Sequence, residues 1–473
     1  MLKFQFLGAA QQVTGSRHFL EIDGVKILVD CGMFQSRDSQ KYNWDFSPLV
    51  PRELDAVVLT HAHLDHCGLL PKLVKEGFRG VILATPATAE LTELILRDSA
   101  YIQQEDVKYK KKRHKKEKRQ SPFPLEPLYE LKDVEKTLPL IKTFNYEKKI
   151  TLDSFVKKDT TVEIHFHDAG HILGSASIEI TADRDGKQRR VLFSGDLGQW
   201  DRPLVGNPTL HQHADYVVVE STYGNRQHHT RKNIFDQLAE VINRTIERGG
   251  KVVIPIFAVE RAQEMLYYLE QLVDQNRIPN VPVYLDSPMA AEATKIFKKY
   301  RHLFDEDVKR TLADDHAPLT FDSLQICRTQ QDSMAINQLG KPAVILATAG
   351  MCNAGRIKHH LKHEITKKNS TVVFVGYQAE GTLGRQIVDK RATRVRILGK
   401  ELQVKAEIQR IHGFSGHAGQ DDLIKWLTSF NSSPRKVFVV HGEEESAKEF
   451  AQLVHDKLGL DAIVPEVGEI FEE

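Results

Sequence analysis

Cysteine, tryptophan and methionine are scarce in this chain of 473 residues, which contains four, three and six of them. The cysteines are scattered and form no Cys-x-x-Cys pair, which argues against a disulfide framework and favours a reducing compartment. No apolar run approaches the roughly 18 residues of a membrane span, and the N-terminus lacks the long apolar segment of a signal peptide. We therefore expect a soluble, cytoplasmic protein without membrane partners.

Net charge is also nearly absent, because 65 Lys and Arg residues balance 64 Asp and Glu residues to give +1. Bulk charge therefore does not drive the protein onto nucleic acid, and any such binding must be local. Hydrophobic residues make up 41% of the chain and charged residues 27%, which excludes a disordered or fibrous protein. At ~150 residues per domain, the length predicts two large lobes or three smaller ones.

Short apolar runs alternate with segments of helical spacing, which predicts an α/β fold. From about residue 226 the alternation becomes longer and more regular, as in a second α/β domain with a parallel sheet. In the last part of the chain, histidines again follow apolar strands, as they do in the first part. This return is expected if one domain is inserted into another. We predict boundaries of 1–225 and 401–473 for the interrupted domain and 226–400 for the inserted one.

A basic segment at 108–119 interrupts this alternation, since nine of its twelve residues are Lys or Arg. Such a run is either a solvated, mobile insertion or an arm that contacts phosphates. The sequence leaves both interpretations open.

Four side chains of metal-ligand type fall within the six positions 61–66, directly after an apolar strand. Residues two apart do not share a helix face, so His61 and His63 must lie on a turn. A catalytic zinc site uses three imidazole or carboxylate ligands and keeps one open position. With Asp65 and His66 the loop offers more ligands than one such site needs, so two metal ions are predicted.

Further ligands are expected at other strand ends, because catalytic groups of α/β proteins gather at the carboxyl ends of strands. His171, Asp196 and His441 each follow a strongly apolar strand. Asp30 has the same placement and is better suited to orienting a ligand histidine from behind. Taken singly, each of these residues could instead cap a helix or pack in the core.

The HAHLDH motif, followed by the strand ends named above, resembles the metallo-β-lactamase fold, an αβ/βα sandwich of two packed sheets flanked by helices. The segments VESTYG, GFSGHAG and VVHGE carry Glu220, His417 and His441, and they resemble motifs A, B and C of the β-CASP nucleases. The middle segments DSPMA, ATAGMCNAGR and GYQAEGTLGR are similar to the inserted domain of that family. The resemblance, which extends to ribonuclease J and the nuclease of pre-mRNA 3′-end cleavage, covers essentially the whole chain.

The resemblance implies a ribonuclease with two Zn²⁺ per chain, in which two ligand sets are joined by a bridging carboxylate: His61, His63 and His171 for one ion, Asp65, His66 and His441 for the other, and Asp196 between them. The two metals would activate a bridging hydroxide in the cleft between the domains, and hydrolysis would leave 5′-phosphate products. Asp65 and Asp196 thus have catalytic roles as well. His417, held by Glu220, would bind the phosphate or protonate the leaving oxygen.

Candidate contacts to single-stranded RNA lie in glycine-rich loops: Gly350, Arg356, Gly381, Arg385 and Ser415. Helix N-termini after such loops bind phosphates, although tight turns explain glycine equally well. Stacking of bases is expected from exposed aromatic rings, with Tyr223, Phe257, Tyr377 and Phe414 as candidates, and core packing is favoured for Phe257.

Three alternatives remain open at this point. They are a small-molecule thioester or lactone hydrolase of the same fold, a DNA nuclease of the same family, and a non-catalytic RNA-binding scaffold. His441 at the motif C position points to RNA rather than DNA. Internal or terminal cleavage, the target RNA and the oligomeric state, a homodimer included, are not determined.

Overall fold

The computed structural model describes residues 1–473 except 37, 118–120, 155–159, 185, 228–233, 312–316, 380 and 390–392. The chain forms two compact units, one made of Met1–Gln227 with His417–Glu473 and the other of His228–Gly416. One unit therefore interrupts the other in sequence. The predicted α/β class, with one α/β unit inserted into another, is confirmed.

Among its described residues, the first part of the first unit contains these strands and helices, in chain order: β1 (Leu2–Gly8), β2 (Arg17–Ile22), β3 (Val25–Val29), β4 (Ala56–Val58), α1 (Leu64–Cys67), α2 (Leu70–Lys75), β5 (Val81–Ala84), α3 (Pro86–Glu117), α4 (Leu131–Thr137), β6 (Ile141–Thr143), β7 (Ile150–Thr151), β8 (Thr161–Asp168), β9 (Ala176–Arg184), β10 (Lys187–Phe193) and β11 (Tyr216–Glu220). The second unit follows: α5 (Ile234–Glu247), β12 (Lys251–Pro255), α6 (Arg261–Asp274), β13 (Val283–Asp286), α7 (Pro288–Lys299), α8 (Glu306–Thr311), β14 (Leu324–Ile326), α9 (Gln330–Gln338), β15 (Ala343–Ala347), α10 (Ile357–Glu364), β16 (Thr371–Phe374), α11 (Leu383–Val388), β17 (Arg394–Ile397), β18 (Lys400–Gln403) and β19 (Glu407–Arg410). The chain then completes the first unit: α12 (Gln420–Leu427), β20 (Lys436–Val440), α13 (Glu444–Leu458), β21 (Ala462–Ile463) and β22 (Ile470–Glu472).

Two seven-stranded sheets pack face to face in the first unit. Their strand orders are β22-β1-β2-β3-β4-β5-β6 and β21-β20-β11-β10-β9-β8-β7. Alternate residues of each strand point into the shared core, as period-two patterning requires. In β8 these are Val162, Ile164 and Phe166. Phe4 of the first sheet packs against Phe438 of the second, with ring centroids 4.9 Å apart.

The outer face of the second sheet is covered by α12 and α13. Val217 and Val219 of β11 share a second apolar cluster with Trp426 of α12 and Phe450 of α13. Pairing is parallel from β10 through β11 and β20 to β21, and also from β3 to β6. The carboxyl ends of these strands therefore lie on one edge of each sheet, which positions the side chains that follow them.

The second unit contains a six-stranded parallel sheet in the order β14-β13-β15-β12-β16-β19. It also contains an antiparallel hairpin formed by β17 and β18. Strands β12, β13, β15 and β16 lie in the part of the chain after residue 226, where the sequence predicts a second α/β domain with a parallel sheet. Val253 and Ile345 are buried against helix α10 through Ile357 and Leu361.

The basic segment at 108–119 does not interrupt the regular structure as the sequence suggested. Residues 108–117 continue α3 as regular helix with mostly exposed side chains, while 118 and 119 lie outside the described residues. Lys and Arg are good helix formers, so the run extends the helix rather than ending it. Within the described ranges, no helix is both long and apolar enough to cross a membrane.

Candidate metal centre

Seven side chains of ligand type converge beside the ends of β4, β8, β10 and β20: His61, His63, Asp65, His66, His171, Asp196 and His441. All of them belong to the first unit. The turn after β4 is extended at His63, where α1 begins, and this change of backbone direction aims residues on both sides of the turn at one place. The predicted ligand residues are thus brought together without any residue of the inserted unit.

The first group contains His61, His63, His171 and Asp196. Nδ1 of His63 lies 3.0 Å from Nε2 of His61 and 3.2 Å from Nε2 of His171. Ligand nitrogens about 2.0–2.1 Å from a tetrahedral zinc are ~3.3 Å apart, so these separations suit a shared ion. Burial lowers the pKa of His63 to about 4 and holds that of His61 and His171 well below the usual range. The rings are therefore neutral and their lone pairs are available.

The second group contains Asp65, His66 and His441. Nε2 of His66 lies 3.1 Å from Nε2 of His441, and Oδ2 of Asp65 lies 3.8 Å from the same His441 nitrogen. Burial opposes ionisation of Asp65, but the neighbouring imidazoles of His441 and His66 lower its pKa below the ordinary value. A carboxylate and two imidazoles thus form a second ligand set.

Asp196 lies between the two groups. Its Oδ2 is 3.5 Å from Nε2 of His61 and 3.6 Å from Nε2 of His171. Its Oδ1 is 3.4 Å from Nε2 of His66, is fully buried, and has no hydrogen-bond partner. Buried carboxylate oxygens nearly always have partners, so this oxygen fits a place on a metal ion. The donor set of imidazole nitrogen and carboxylate oxygen is the one that zinc takes.

A buried carboxylate orients the second group from behind. Oδ2 of Asp30 accepts a hydrogen bond from Nδ1 of His66 at 2.7 Å, and Oδ1 accepts one from the backbone of Thr60 at 2.9 Å. This contact fixes the ring of His66 with Nε2 directed at the centre. Burial disfavours the charged form of His66, but Asp196 and Asp30 raise its pKa well above the usual range. Thr60, which the motif analysis passed over, also lies 3.0 Å from Nδ1 of His61 through its hydroxyl.

Close backbone approach at the centre requires glycine before Asp196. Gly195 has a φ of 56°, and a Cβ there would lie 2.8 Å from Cβ of Thr60. Two ordinary residues of the site, Asp30 and His441, also have positive φ, of 62° and 49°. Such conformations cost energy and persist where the surroundings impose them, which is common at functional sites.

Glu220 and His417 form a third group with Asp196. Nδ1 of His417 donates to Oε2 of Glu220 at 3.1 Å and lies 3.7 Å from Oδ2 of Asp196. Glu220 is fully buried and also accepts from the backbone of Leu197 at 2.7 Å. Burial opposes protonation of His417, yet Glu220 and Asp196 raise its pKa to about 9. Its side chain remains 21% exposed, so the proton it holds is accessible.

Two further residues of the site escaped the sequence analysis. The hydroxyl of Thr222 lies 3.2 Å from Nδ1 of His441 and donates to its carbonyl at 3.0 Å. The buried guanidinium of Arg202 donates to the carbonyl of His171 at 2.6 Å. Thr222 follows the VES of motif A and could have been noticed there, whereas nothing in the sequence around Arg202 indicates its role.

The five candidate substrate residues all lie in the second unit: Gly350, Arg356, Gly381, Arg385 and Ser415. The guanidinium of Arg356 already has partners within the protein. It donates to buried Asp286 at 2.6 Å and to the carbonyl of Cys327 at 3.1 Å. Nε of Arg385 donates to Asp389 within and just after α11 at 2.8 Å. Their substrate roles remain proposals.

The remaining three are placed as follows. Gly350 packs under an aromatic ring, because a Cβ there would lie 2.8 Å from Phe257. Gly381 lies in the turn before α11, and Ser415 is half-buried close to the end of the second unit.

The aromatic candidates for base stacking are exposed or buried in a different way from that expected from the sequence. Phe257, favoured for the core, is 43% exposed, and Tyr377 is 41% exposed. Phe414 is buried at 1%, where it packs against Tyr268 and Arg261. The interpretation of Phe257 as a core residue and of Phe414 as a stacking residue is therefore wrong, because the turn after β12 carries Phe257 out to the surface.

Cys67, which follows the HAHLDH motif, is not part of either ligand group. Its thiol is buried, lies 3.3 Å from the carbonyl of Ala62, and has a pKa raised by burial. All four cysteines are free and buried. These positions agree with the absence of a disulfide framework.

Three family models match this chain. They are the metallo-beta-lactamase superfamily domain at residues 19–193, the Beta-Casp domain at 262–387 and the Zn-dependent metallo-hydrolase RNA specificity domain at 401–465. Ribonuclease TTHA0252 of Thermus thermophilus is 38% identical over 447 residues, which cover 94% of both proteins. The chain belongs to the metallo-β-lactamase-fold β-CASP ribonuclease family. The resemblance inferred from its motifs is confirmed.

Other β-CASP relatives extend over most of the chain. The RNase J-like protein of Methanocaldococcus jannaschii is 30% identical over 478 residues and covers 100% of both chains. Transcription termination factor FttA of Methanosarcina mazei is 33% identical, covering 96% of this chain and 69% of that protein. A solved structure of a protein of unknown function from Enterococcus faecalis V583 has a TM-score of 0.55 at 12% identity over 99% of both chains, which supports the fold alone. Membership of the β-CASP family confirms the predicted enzyme class, a metal-dependent ribonuclease.

Proposed function

We propose that the protein hydrolyses phosphodiester bonds of single-stranded RNA and does so with two zinc ions per chain. The observation that carries the proposal is the placement of Asp196, whose two oxygens face different histidine groups. The ligands would divide as the motifs imply: His61, His63 and His171 for one ion, Asp65, His66 and His441 for the other, and Asp196 for both.

When bound, a pair of zinc ions lowers the pKa of water to about 7 and offsets the negative charge of the phosphodiester. The surrounding side chains position the ligands and supply negative charge. Asp30 and Thr222 hold the rings of His66 and His441 in position. Asp65 and Asp196 would supply negative charge that offsets the mutual repulsion of two bound ions.

His417 is the residue that handles the proton of the leaving group. Its pKa of about 9 keeps the ring protonated at neutral pH, and Glu220 accepts from Nδ1, so Nε2 is the donor left for substrate. A proton from Nε2 to the departing 3′-oxygen would make that oxygen a better leaving group. Loss of the 3′-oxygen leaves the phosphate on the 5′ end of the product.

RNA is favoured over the alternatives by two observations. The matched RNA specificity domain spans 401–465 and includes both His417 and His441, and a relative of nearly equal length is named a ribonuclease. A thioester hydrolase expels a thiolate, which leaves readily without a proton and so has little use for a donor held by Glu220. A scaffold without activity would not need the full set of seven ligand side chains.

The test uses labelled RNA blocked at the 5′ end or the 3′ end, with zinc or with a chelator, followed by analysis of the product ends. We expect cleavage that stops with the chelator and 5′-phosphate products. His63→Ala and Asp196→Ala should abolish cleavage, whereas His455→Ala, an exposed histidine of α13 in the same unit, should not. RNA left intact by zinc-loaded protein that consumes a thioester would refute the proposal.

Light scattering of the zinc-loaded protein distinguishes a monomer from a homodimer. A monomeric mass would remove the homodimer without affecting the chemistry, because every proposed ligand comes from one chain.

A further inference from the structure

A separate group of ligand-type side chains lies in the first unit, apart from the seven-residue centre. His167 lies near the end of β8, Glu179 on the neighbouring β9, and His211 on the segment between β10 and β11. One ring nitrogen of each histidine and one oxygen of Glu179 all lie within 4.8 Å of one another. The reaction proposed above uses none of the three.

Strand register places two of these side chains on the outer face of the sheet. Because Phe166 points into the core between the sheets, His167 next to it points outward. His167 pairs with Ser177, and Glu179 is two residues further along β9 on the same face. Such diagonal neighbours are within reach of long side chains, and Oε2 of Glu179 lies 3.7 Å from Nε2 of His167.

His167 has the features of a ligand histidine. Its Nδ1 donates to Oε1 of Glu147 at 2.8 Å, which fixes the proton on that nitrogen and leaves the lone pair of Nε2 available. Nε2 is buried and has no hydrogen-bond partner, and the residue is only 8% exposed. Buried polar atoms normally have a partner, so this nitrogen requires an explanation.

His211 is held in place by α12 and the turn after it. Its backbone N–H donates to Oγ of Ser429 at 3.2 Å, and its carbonyl accepts from that hydroxyl at 2.8 Å. The ring packs edge-on against Trp426 with centroids 5.5 Å apart and against His167 at 4.7 Å. Burial and the neighbouring His167 lower the pKa of His211 to about 4, so the ring is neutral at physiological pH.

We propose that His167, Glu179 and His211 bind a zinc ion at a site distinct from the centre that cleaves RNA. Two imidazoles and a carboxylate are ligands that zinc prefers, and water can complete the tetrahedron. Glu179 is 16% exposed on its side chain and leaves a path for the ion from solvent. The ion would join β8 and β9 to the segment that precedes β11, and it would therefore be structural.

The competing arrangement is an ion-paired triad without metal. In it His167 is protonated between Glu147 and Glu179, whose carboxylates raise its pKa although burial opposes the charge. The oxygen that would serve the metal then pairs with the imidazolium instead. Zinc content distinguishes the two arrangements, because only a ligand set binds the ion with defined stoichiometry.

The experiment measures zinc by atomic emission after the full chain is loaded and dialysed against metal-free buffer. We expect Glu179→Gln and His211→Ala each to bind one zinc equivalent fewer than the parent protein. His213→Ala, an exposed histidine two residues from His211, should bind as much as the parent. The series is repeated in a His63→Ala background, where the same difference of one equivalent is expected whether or not RNA is cleaved.

Equal zinc content in the parent, Glu179→Gln and His211→Ala would overturn the proposal and establish the ion-paired triad. Glu179→Gln keeps the volume and packing of the side chain, so it decides the matter if His211→Ala fails to fold. Circular dichroism melting of each variant identifies such a failure. A further readout is thermal stability in the His63→Ala background, since an ion that binds the folded chain alone raises the melting temperature of the parent sequence and not that of Glu179→Gln.

Discussion

Replacing Glu220 by Gln tests how the protein holds a proton on His417. The carboxylate is fully buried and accepts from Nδ1 of His417 at 3.1 Å and from the backbone of Leu197 at 2.7 Å. Gln has nearly the same shape and keeps an oxygen for Leu197, so the change removes charge with little effect on packing. A change in the chemistry of His417 is therefore the expected consequence.

The size of the effect follows from the pKa of His417, which is about 9 instead of 6.5. Burial opposes the proton, and Glu220 is the strongest of the groups that favour it, ahead of Asp196. A full return to about 6.5 would reduce the protonated fraction at about pH 8 from roughly 0.9 to roughly 0.03, or about thirtyfold. Because Asp196 stays in place, we expect a loss of cleavage rate between about threefold and about thirtyfold at that pH.

The change should also alter stability in a defined direction. A pKa raised in the folded state means that folding strengthens proton binding, so this contribution is fully present below pH 6.5 and disappears as the pH rises through about 9. Glu220→Gln should remove most of that dependence. Urea unfolding of the metal-free protein across this range measures it.

The assay combines a pH–rate profile with histidine NMR of metal-free protein, in which His417→Ala identifies the resonance. Glu466→Gln, an exposed carboxylate of the same unit, serves as the control for a lost charge. The expected result is a lower pKa for His417, an alkaline limb of the rate profile moved to lower pH, and unchanged zinc content. An unchanged pKa and rate profile in Glu220→Gln would refute the reasoning.

Three other predictions concern the same centre and the basic helix. His417→Ala should keep both proposed zinc ions and slow RNA cleavage about 10²–10⁴-fold, and loss of zinc in atomic emission would contradict its role as proton donor. His441→Ala should lose one zinc equivalent and most of the activity, because His441 is one of the three side chains of the second ligand set, whereas full zinc content would show that it is not a ligand. Changing the lysines of 108–116 to Gln should flatten the salt dependence of RNA binding if this exposed end of α3 contacts phosphates, and an identical slope would leave it a solvated helix end.

Much of the candidate site could be predicted because it depends on local features. A strand that ends in a turn exposes the side chains after it, and the spacing of His61, His63, Asp65 and His66 restricts which of them can share an ion. His171, Asp196 and His441 were accessible to the same reasoning, since each follows an apolar strand. The family resemblance added Glu220 and His417, which spacing alone does not connect.

The errors came from features that depend on distant partners. Phe257 looks like a core residue after an apolar strand, but the turn carries it to the surface, while Phe414 finds a buried place beside Arg261 and Tyr268. The partner of Arg356 also could not be foreseen, since its guanidinium donates to the buried carboxylate of Asp286 at 2.6 Å, while its role toward substrate stays a prediction. A sequence does not reveal which opposite charge, 70 residues away, will be its neighbour.

The sequence was therefore enough to indicate the family, through the resemblance of its motifs, and to predict the α/β class and the kinds of side chain that reach the centre. Motifs and strand ends are short-range properties, which is why they can be recognised without the fold. The pairings that define the chemistry arise from folding. Asp30 contacts His66, and His167 lies beside Glu179 and His211. Strand register and helix packing bring these segments together although they are remote in sequence. The orientation, burial and proton affinity of these side chains depend on such contacts, so only the folded structure reveals them.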